Sequence, residues 1–173
     1  MDFLSDDILK ILGGGVVASV MTNLFISRRE TKKHNRMLKG LAASLHAEIK
    51  AKRNEVIHHK YREALQEFID ALKAGRTNEV PKYNTHNDPA KSVYYANITT
   101  IGHLPKPIPE KLTELYSMAD SITLDYQAMD AGKWDHRDNK DKAEFLEVVL
   151  RNYDWTIEKA DDVLSELESY LGK

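Results

Sequence analysis

The sequence predicts an all-α protein: an N-terminal transmembrane helix followed by an antiparallel three- or four-helix bundle. Three observations carry this expectation. Residues 11–26 (ILGGGVVASVMTNLFI) form an uncharged, largely apolar run. Beyond it, apolar residues recur three and four apart along long stretches, which is the spacing of one face of a helix. No segment of comparable quality alternates apolar and polar residues as a half-buried strand does.

The chain has 173 residues, enough for one domain with a real core. Cysteine is absent, which excludes disulfide staples, cysteine zinc sites and thiol catalysis. The first element is the apolar run. Extended to residues 8–27 it admits only Lys10, which is close enough to the end to snorkel. As a helix it would be about 30 Å long at ~1.5 Å per residue, the thickness of a bilayer's hydrocarbon core. Asp2, Asp6 and Asp7 precede it, while Arg28, Arg29, Lys32, Lys33 and Arg36 follow. The excess of cations on that side places the C-terminal part in the cytoplasm and the short acidic tail outside. The competing reading is a buried hairpin helix of a bundle, since the run is short and includes Ser19, Thr22 and Asn23. Within the run Gly14, Ala18 and Thr22 recur every four residues, as do Gly15 and Ser19. A face of small residues lets two membrane helices pack closely, so a homodimer through the anchor is one expectation.

A long helical stretch follows over residues 29–74. Leu38, Leu41, Leu45 and Ile49 make one stripe, which resumes at Val56, Tyr61, Leu65, Phe68 and Leu72. The polar interval at residues 50–55 is where a bend is expected, and Gly75 is the stop. Residues 76–89 lack periodicity and predict a loop. A shorter helix fits residues 90–101, ended by Gly102. Prolines at 105, 107 and 109 then predict an extended link, with Pro109 as the first residue of the next helix and Glu110 in its first turn. That helix runs to about Ala131, capped by Gly132, on Leu112, Leu115, Ala119, Ile122, Tyr126 and Met129. The last helix, over residues 138–171, uses Leu146, Leu150, Tyr153, Ile157, Ala160, Leu164, Leu167 and Leu171. Both are heptad seams of helices packed at about 20°. Packing within the chain is the favoured reading of the last seam, a coiled coil between copies the other. The domains are thus residues 1–27, tail and anchor, and residues 28–173, a cytoplasmic helical domain.

Net charge is only −2, yet the charges are segregated. Residues 28–82 hold 14 Lys and Arg against 7 Asp and Glu, whereas residues 110–173 hold 8 against 16. Helices meeting along complementary rims are the simplest outcome.

Familiar chemistries find little support. Gly13, Gly15 and Ala18 fit the dinucleotide pattern GxGxxA, but a basic helical stretch follows where a parallel strand is required. Glu55 and His58 form an ExxH, and Glu55, His59 and Glu63 lie four apart, yet a di-iron bundle needs a second ExxH and none occurs. No P-loop, GxSxG or HExxH is present. Asp135, His136, Arg137 and Asp138 read as a turn feeding a helix cap rather than as a catalytic cluster. The sequon at Asn97 carries no meaning on the cytoplasmic side. No cofactor or metal is expected. The cations from Arg28 to Arg36 suit anionic lipid headgroups, each contributing on the order of 1 kcal/mol. They lack the aromatic and Asn/Gln readers of a nucleic-acid site.

Leu45, Glu48 and Ile49, then Ile101, Gly102, Leu104 and Pro105, then Leu115 and Tyr116 resemble motifs of uncharacterised bacterial and prophage single-pass membrane-anchored helical proteins. The resemblance touches most of the chain through short motifs. It implies a bacterial inner-membrane location and a helical cytoplasmic domain, and no activity. The functional expectation is therefore a non-enzymatic interaction or scaffold module tethered to the bilayer, with a protein partner. Tyr94 and Tyr95 are the exposed aromatics expected to meet that partner. The alternatives are an oligomerising membrane-acting effector and a metal-dependent enzyme with scattered Glu and His ligands.

Overall fold

The computed structural model describes residues 3–82 and 92–172, and the side chains of these from residue 26 onward. Every regular element among the described residues is a helix. In order these are α1 (Phe3–His58), α2 (Tyr61–Lys73), α3 (Val93–Ala96), α4 (Ile98–Ile101), α5 (Ile108–Asp130) and α6 (Asn139–Leu171). The chain divides into two compact units, Met1–Gly40 and Leu41–Lys173. No helix is long and apolar enough to cross a membrane among the described residues. The expected span, residues 8–27, falls almost wholly on residues 1–25, whose side chains lie outside them.

The second unit is an antiparallel three-helix bundle. One position is shared end to end by the C-terminal part of α1 and by α2, and the others are held by α5 and α6. Polar side-chain pairs give the direction. His46 meets Glu168 at 3.0 Å, Arg62 meets Asp154 at 2.8 Å and Lys73 meets Glu147 at 2.5 Å. Rising numbers on α1 and α2 thus face falling numbers on α6. On the other flank Lys111 reaches Asp162 and Glu166, and Lys159 reaches Glu114. The basic half of the chain lies along the acidic half, as the charge segregation predicts. The exposed pairs among these, such as Arg62–Asp154 and Lys73–Glu147, fix register more than stability.

Leu65, Ile69, Leu72, Leu112, Met129, Leu146, Val149, Val163 and Leu167 are fully buried. On α6 the heptad seam accounts for Leu146 and Leu167 but not for Val149 and Val163. Val149 is buried because α6 packs against α2 on one flank and α5 on the other, and at the level of Val163 α1 takes the place of α2.

The expected bend at residues 50–55 is not where the helix breaks. Lys60 adopts the left-handed region (φ 51°, ψ 39°), and α2 begins one residue later. The end of α1 is satisfied from within and from across the bundle. His59 N–H donates to Glu55 O at 3.0 Å, and the Tyr153 hydroxyl donates to Val56 O at 3.3 Å. A lysine held there loses about 1–2 kcal/mol that glycine does not. Lys60→Gly is therefore expected to raise stability by about 0.5–1 kcal/mol, and Lys60→Val to lower it by at least as much. Urea denaturation reads both, and equal midpoints would show that Lys60 relaxes without strain.

The stops are those the sequence predicts. Gly75 (φ 66°) and Gly132 (φ 71°) each close a helix by paired backbone bonds. Gly75 N–H donates to Leu72 O and Arg76 N–H to Ala71 O; Gly132 N–H donates to Met129 O and Lys133 N–H to Ala128 O. Asp138 caps α6, its side chain accepting from Asp141 N–H at 2.8 Å. The same end of α6 pins the chain leaving α2. Asn139 donates to Thr77 O at 2.9 Å, and the buried Lys142 ammonium donates to Asn78 O at 2.5 Å.

Two expectations for the middle of the chain are corrected. Of the helix expected over residues 90–101, residues 90 and 91 lie outside the described residues, and the remainder forms two single turns, α3 and α4, parted at Asn97. The proline link is a tight turn rather than an extended strut. Leu104 N–H donates to Ile101 O and Ile108 N–H to Pro105 O. Leu104 and Ile108 are both buried, and burying both side chains folds the link back on itself. α5 consequently starts at Ile108, with Pro109 one residue inside it.

Candidate functional site

The bundle unit holds a polar knot. Glu48 on α1 accepts from Ser92 Oγ at 2.7 Å, from Val93 N–H at the start of α3, and from the Tyr116 hydroxyl on α5. Lys52, one turn on, adds its charge at 3.7 Å. Burial pushes the Glu48 carboxyl up, but the donors from Tyr116, Ser92 and Val93, with Lys52, outweigh it and hold the carboxyl below its ordinary value. Burial first, and then the bond to Glu48, pushes the Tyr116 hydroxyl far above its usual range. Glu48 thus stays ionised with three donors on it, and Tyr116 stays a donor. Neither is disposed to act as a general base.

Tyr94 stacks on Tyr116 with ring centroids 4.0 Å apart and planes 8° apart. It is 5% exposed, so its expected place on an open surface is corrected: the ring closes the core over the knot. Tyr95 is half-buried, edge-on to Tyr94 at 5.1 Å, with its hydroxyl bonded to the Asp120 carboxylate. Two of the residues that carry the resemblance, Glu48 and Tyr116, meet here. Glu48 bonds to Tyr116, while Leu45, Ile49, Ile101, Leu104 and Leu115 are all buried.

Beside the knot runs a cleft of about 740 Å³ between the end of α1, α5 and α6. Its walls include Ile49, Val56, Leu115, Ala119, Ile122 and Ile157, with rings of Tyr61, Tyr95, Tyr116, Tyr126 and Tyr153. Five of the eight tyrosines of the chain therefore line one space. The Tyr153 hydroxyl, pushed up to about 12 by burial and by the nearby carboxylates of Glu63 and Asp154, remains a donor to the α1 carbonyl. Sequence periodicity placed most of these residues in seams. That the seams splay apart here has no sequence signal.

In the Met1–Gly40 unit, Arg28, Arg29, Lys32, Lys33 and Arg36 are all exposed on one helix. At about 100° per residue they fall, together with Lys39, within an arc of about 140°. The helix therefore gathers the expected headgroup contacts on a single face. Gly14, Gly15, Ala18, Ser19 and Thr22, the residues expected to pack anchor helices, lie outside the described side chains.

The histidine ladder does not form as one face. α1 ends at His58 and Lys60 turns the chain, so Glu55 and Glu63 belong to different helices. Among the described residues no group of three His, Asp or Glu is placed to hold a metal ion.

Fold and site together define a helical bundle with an apolar side cleft, and a separate unit bearing a cationic helix face. Comparison of the chain with protein-family models, with curated proteins and with solved structures finds no match.

Proposed function

We propose that this protein is a non-enzymatic helical interaction module tethered to the bacterial inner membrane. Residues 8–27 span the bilayer, the N-terminus lies outside, and the bundle works on the cytoplasmic side with a protein partner. One observation carries the reading: the uncharged run at residues 11–26 is followed, on the same helix α1, by six cations sharing one face. That order suits acyl chains and then anionic headgroups. The partner surface moves from Tyr94 to α6. Trp155 there is half exposed, and Val148, two turns earlier on the same face, is also open to solvent. A large exposed indole is a frequent binding anchor.

The test is extraction of the full chain from membranes with alkaline carbonate. The chain is expected to stay in the pellet, with its C-terminus shielded from protease in right-side-out spheroplasts. Glutamate at Arg28, Arg29, Lys32, Lys33 and Arg36 together is expected to invert or scramble that protection. Release of the intact chain by carbonate would overturn the proposal.

A further inference from the structure

We propose that the cleft between α1, α5 and α6 binds one long-chain fatty acid, its carboxylate beside Lys52 and its hydrocarbon tail running toward Tyr126 and Tyr153. The cleft lies wholly within the Leu41–Lys173 unit, so the inference stands apart from the membrane reading.

Size comes first. A volume of about 740 Å³ lies inside the roughly 300–1,000 Å³ of small-molecule sites. Along α5 the wall extends from Leu115 to Gln127, about 18 Å at ~1.5 Å per residue, close to the length of an extended chain of roughly sixteen carbons.

The lining of the cleft is mostly apolar, with polar groups at both ends. α1 and α5 both run antiparallel to α6, so the Lys52 end of α1 lies beside Tyr116 and Asp120, and the Val56 end beside Leu124 and Gln127. Ser92, Tyr95 and Asp120 gather at the first end; beyond it Ala119, Ile122, Leu124, Ile157 and tyrosine rings make most of the wall, with Glu55, Thr123, Gln127 and Thr156 set among them. Three of the five tyrosines there offer ring faces rather than spare donors. Tyr95 is bonded to Asp120, Tyr116 to Glu48 and Tyr153 to Val56 O. With these three hydroxyls engaged, and those of Thr123 and Thr156 on backbone carbonyls of their own helices, the wall suits an occupant that asks for few hydrogen bonds, as an alkyl chain does.

The head needs a cation, and Lys52 provides it. Its side chain is 54% exposed, and its carboxylate neighbour Glu48, 3.7 Å away, already accepts three hydrogen bonds. Arg53, the next cation on the rim, is held by Asp161. A second anion at Lys52 therefore displaces no short bond.

The experiment uses the full chain in phosphatidylethanolamine–phosphatidylglycerol vesicles with a photoactivatable sixteen-carbon diazirine fatty acid, followed by peptide mapping. Saturable labelling of α5 and α6 at the cleft, competed by palmitate, is expected. Lys52→Glu should lower that labelling about five-fold, the upper end for an exposed ion pair, while labelling by the matching diazirine alcohol stays unchanged. Ala119→Trp, which fills the cleft, should abolish both with helix content retained. If that variant misfolds, Thr156→Trp on the facing helix serves instead. Labelling confined to residues 8–27, labelling that palmitate does not compete, or equal loss of acid and alcohol in Lys52→Glu would each overturn the proposal.

Discussion

Glu48→Ala is expected to lower the stability of the bundle by about 3 kcal/mol. The substitution strands the Ser92 hydroxyl, the Val93 N–H and the Tyr116 hydroxyl in a part-buried setting. Hydrogen bonds to a charged acceptor contribute about 1.5–3 kcal/mol each, and three on one carboxylate add less than their sum. Glu48→Gln keeps an acceptor of the same length and should lose roughly half as much. The sign of the pH dependence follows from the carboxyl being held below its ordinary value. The contribution is fully present above the unfolded-state value and is lost as pH falls through the folded one. Wild type and Glu48→Gln should therefore converge in stability as the solution is acidified, and differ most near neutrality. Urea denaturation across pH reads this. A constant gap down to strong acid would show that the charge at Glu48 contributes nothing.

Leu146→Ala is expected to cost about 3–4 kcal/mol, within the range for deleting a fully buried leucine. Leu146 is 0% exposed and shares a core cluster with Leu65, Ile69, Met129 and Val149. Those residues come from α2, α5 and α6, so the void opens where all three meet and no one helix can collapse into it. Leu124→Ala is the matched control. That side chain is 64% exposed on the cleft rim, and its loss should change stability by no more than about 0.5 kcal/mol. Similar losses for both would mean that the three helices do not close around Leu146.

Much of the bundle was legible because its signals are local. Gly75 and Gly132 mark helix ends because each must enter the left-handed region, which glycine does without a Cβ clash. Asp138 marks a start because a carboxylate there meets the Asp141 N–H. The seams of α5 and α6 follow from three-and-four spacing. The unequal charge of the two halves foretold the pairs that join Arg62 to Asp154 and Lys73 to Glu147. The candidate site was less legible. Tyr94 and Tyr95 stood out as aromatics near the proline link, but whether such a ring is exposed depends on what folds over it.

From the sequence alone came the helical class, the main helix boundaries and the inward faces, since each follows from spacing, capping and charge within a few residues. Tertiary packing decided the rest. It put the chain's break at Lys60, where the Tyr153 hydroxyl arrives to satisfy an α1 carbonyl. It also turned the proline link to bury Leu104 and Ile108, stacked Tyr94 on Tyr116, and spread α1 from α5 to open a cleft. Each of these depends on groups dozens of residues apart meeting within hydrogen-bond or van der Waals reach, and no short window of sequence records such a meeting.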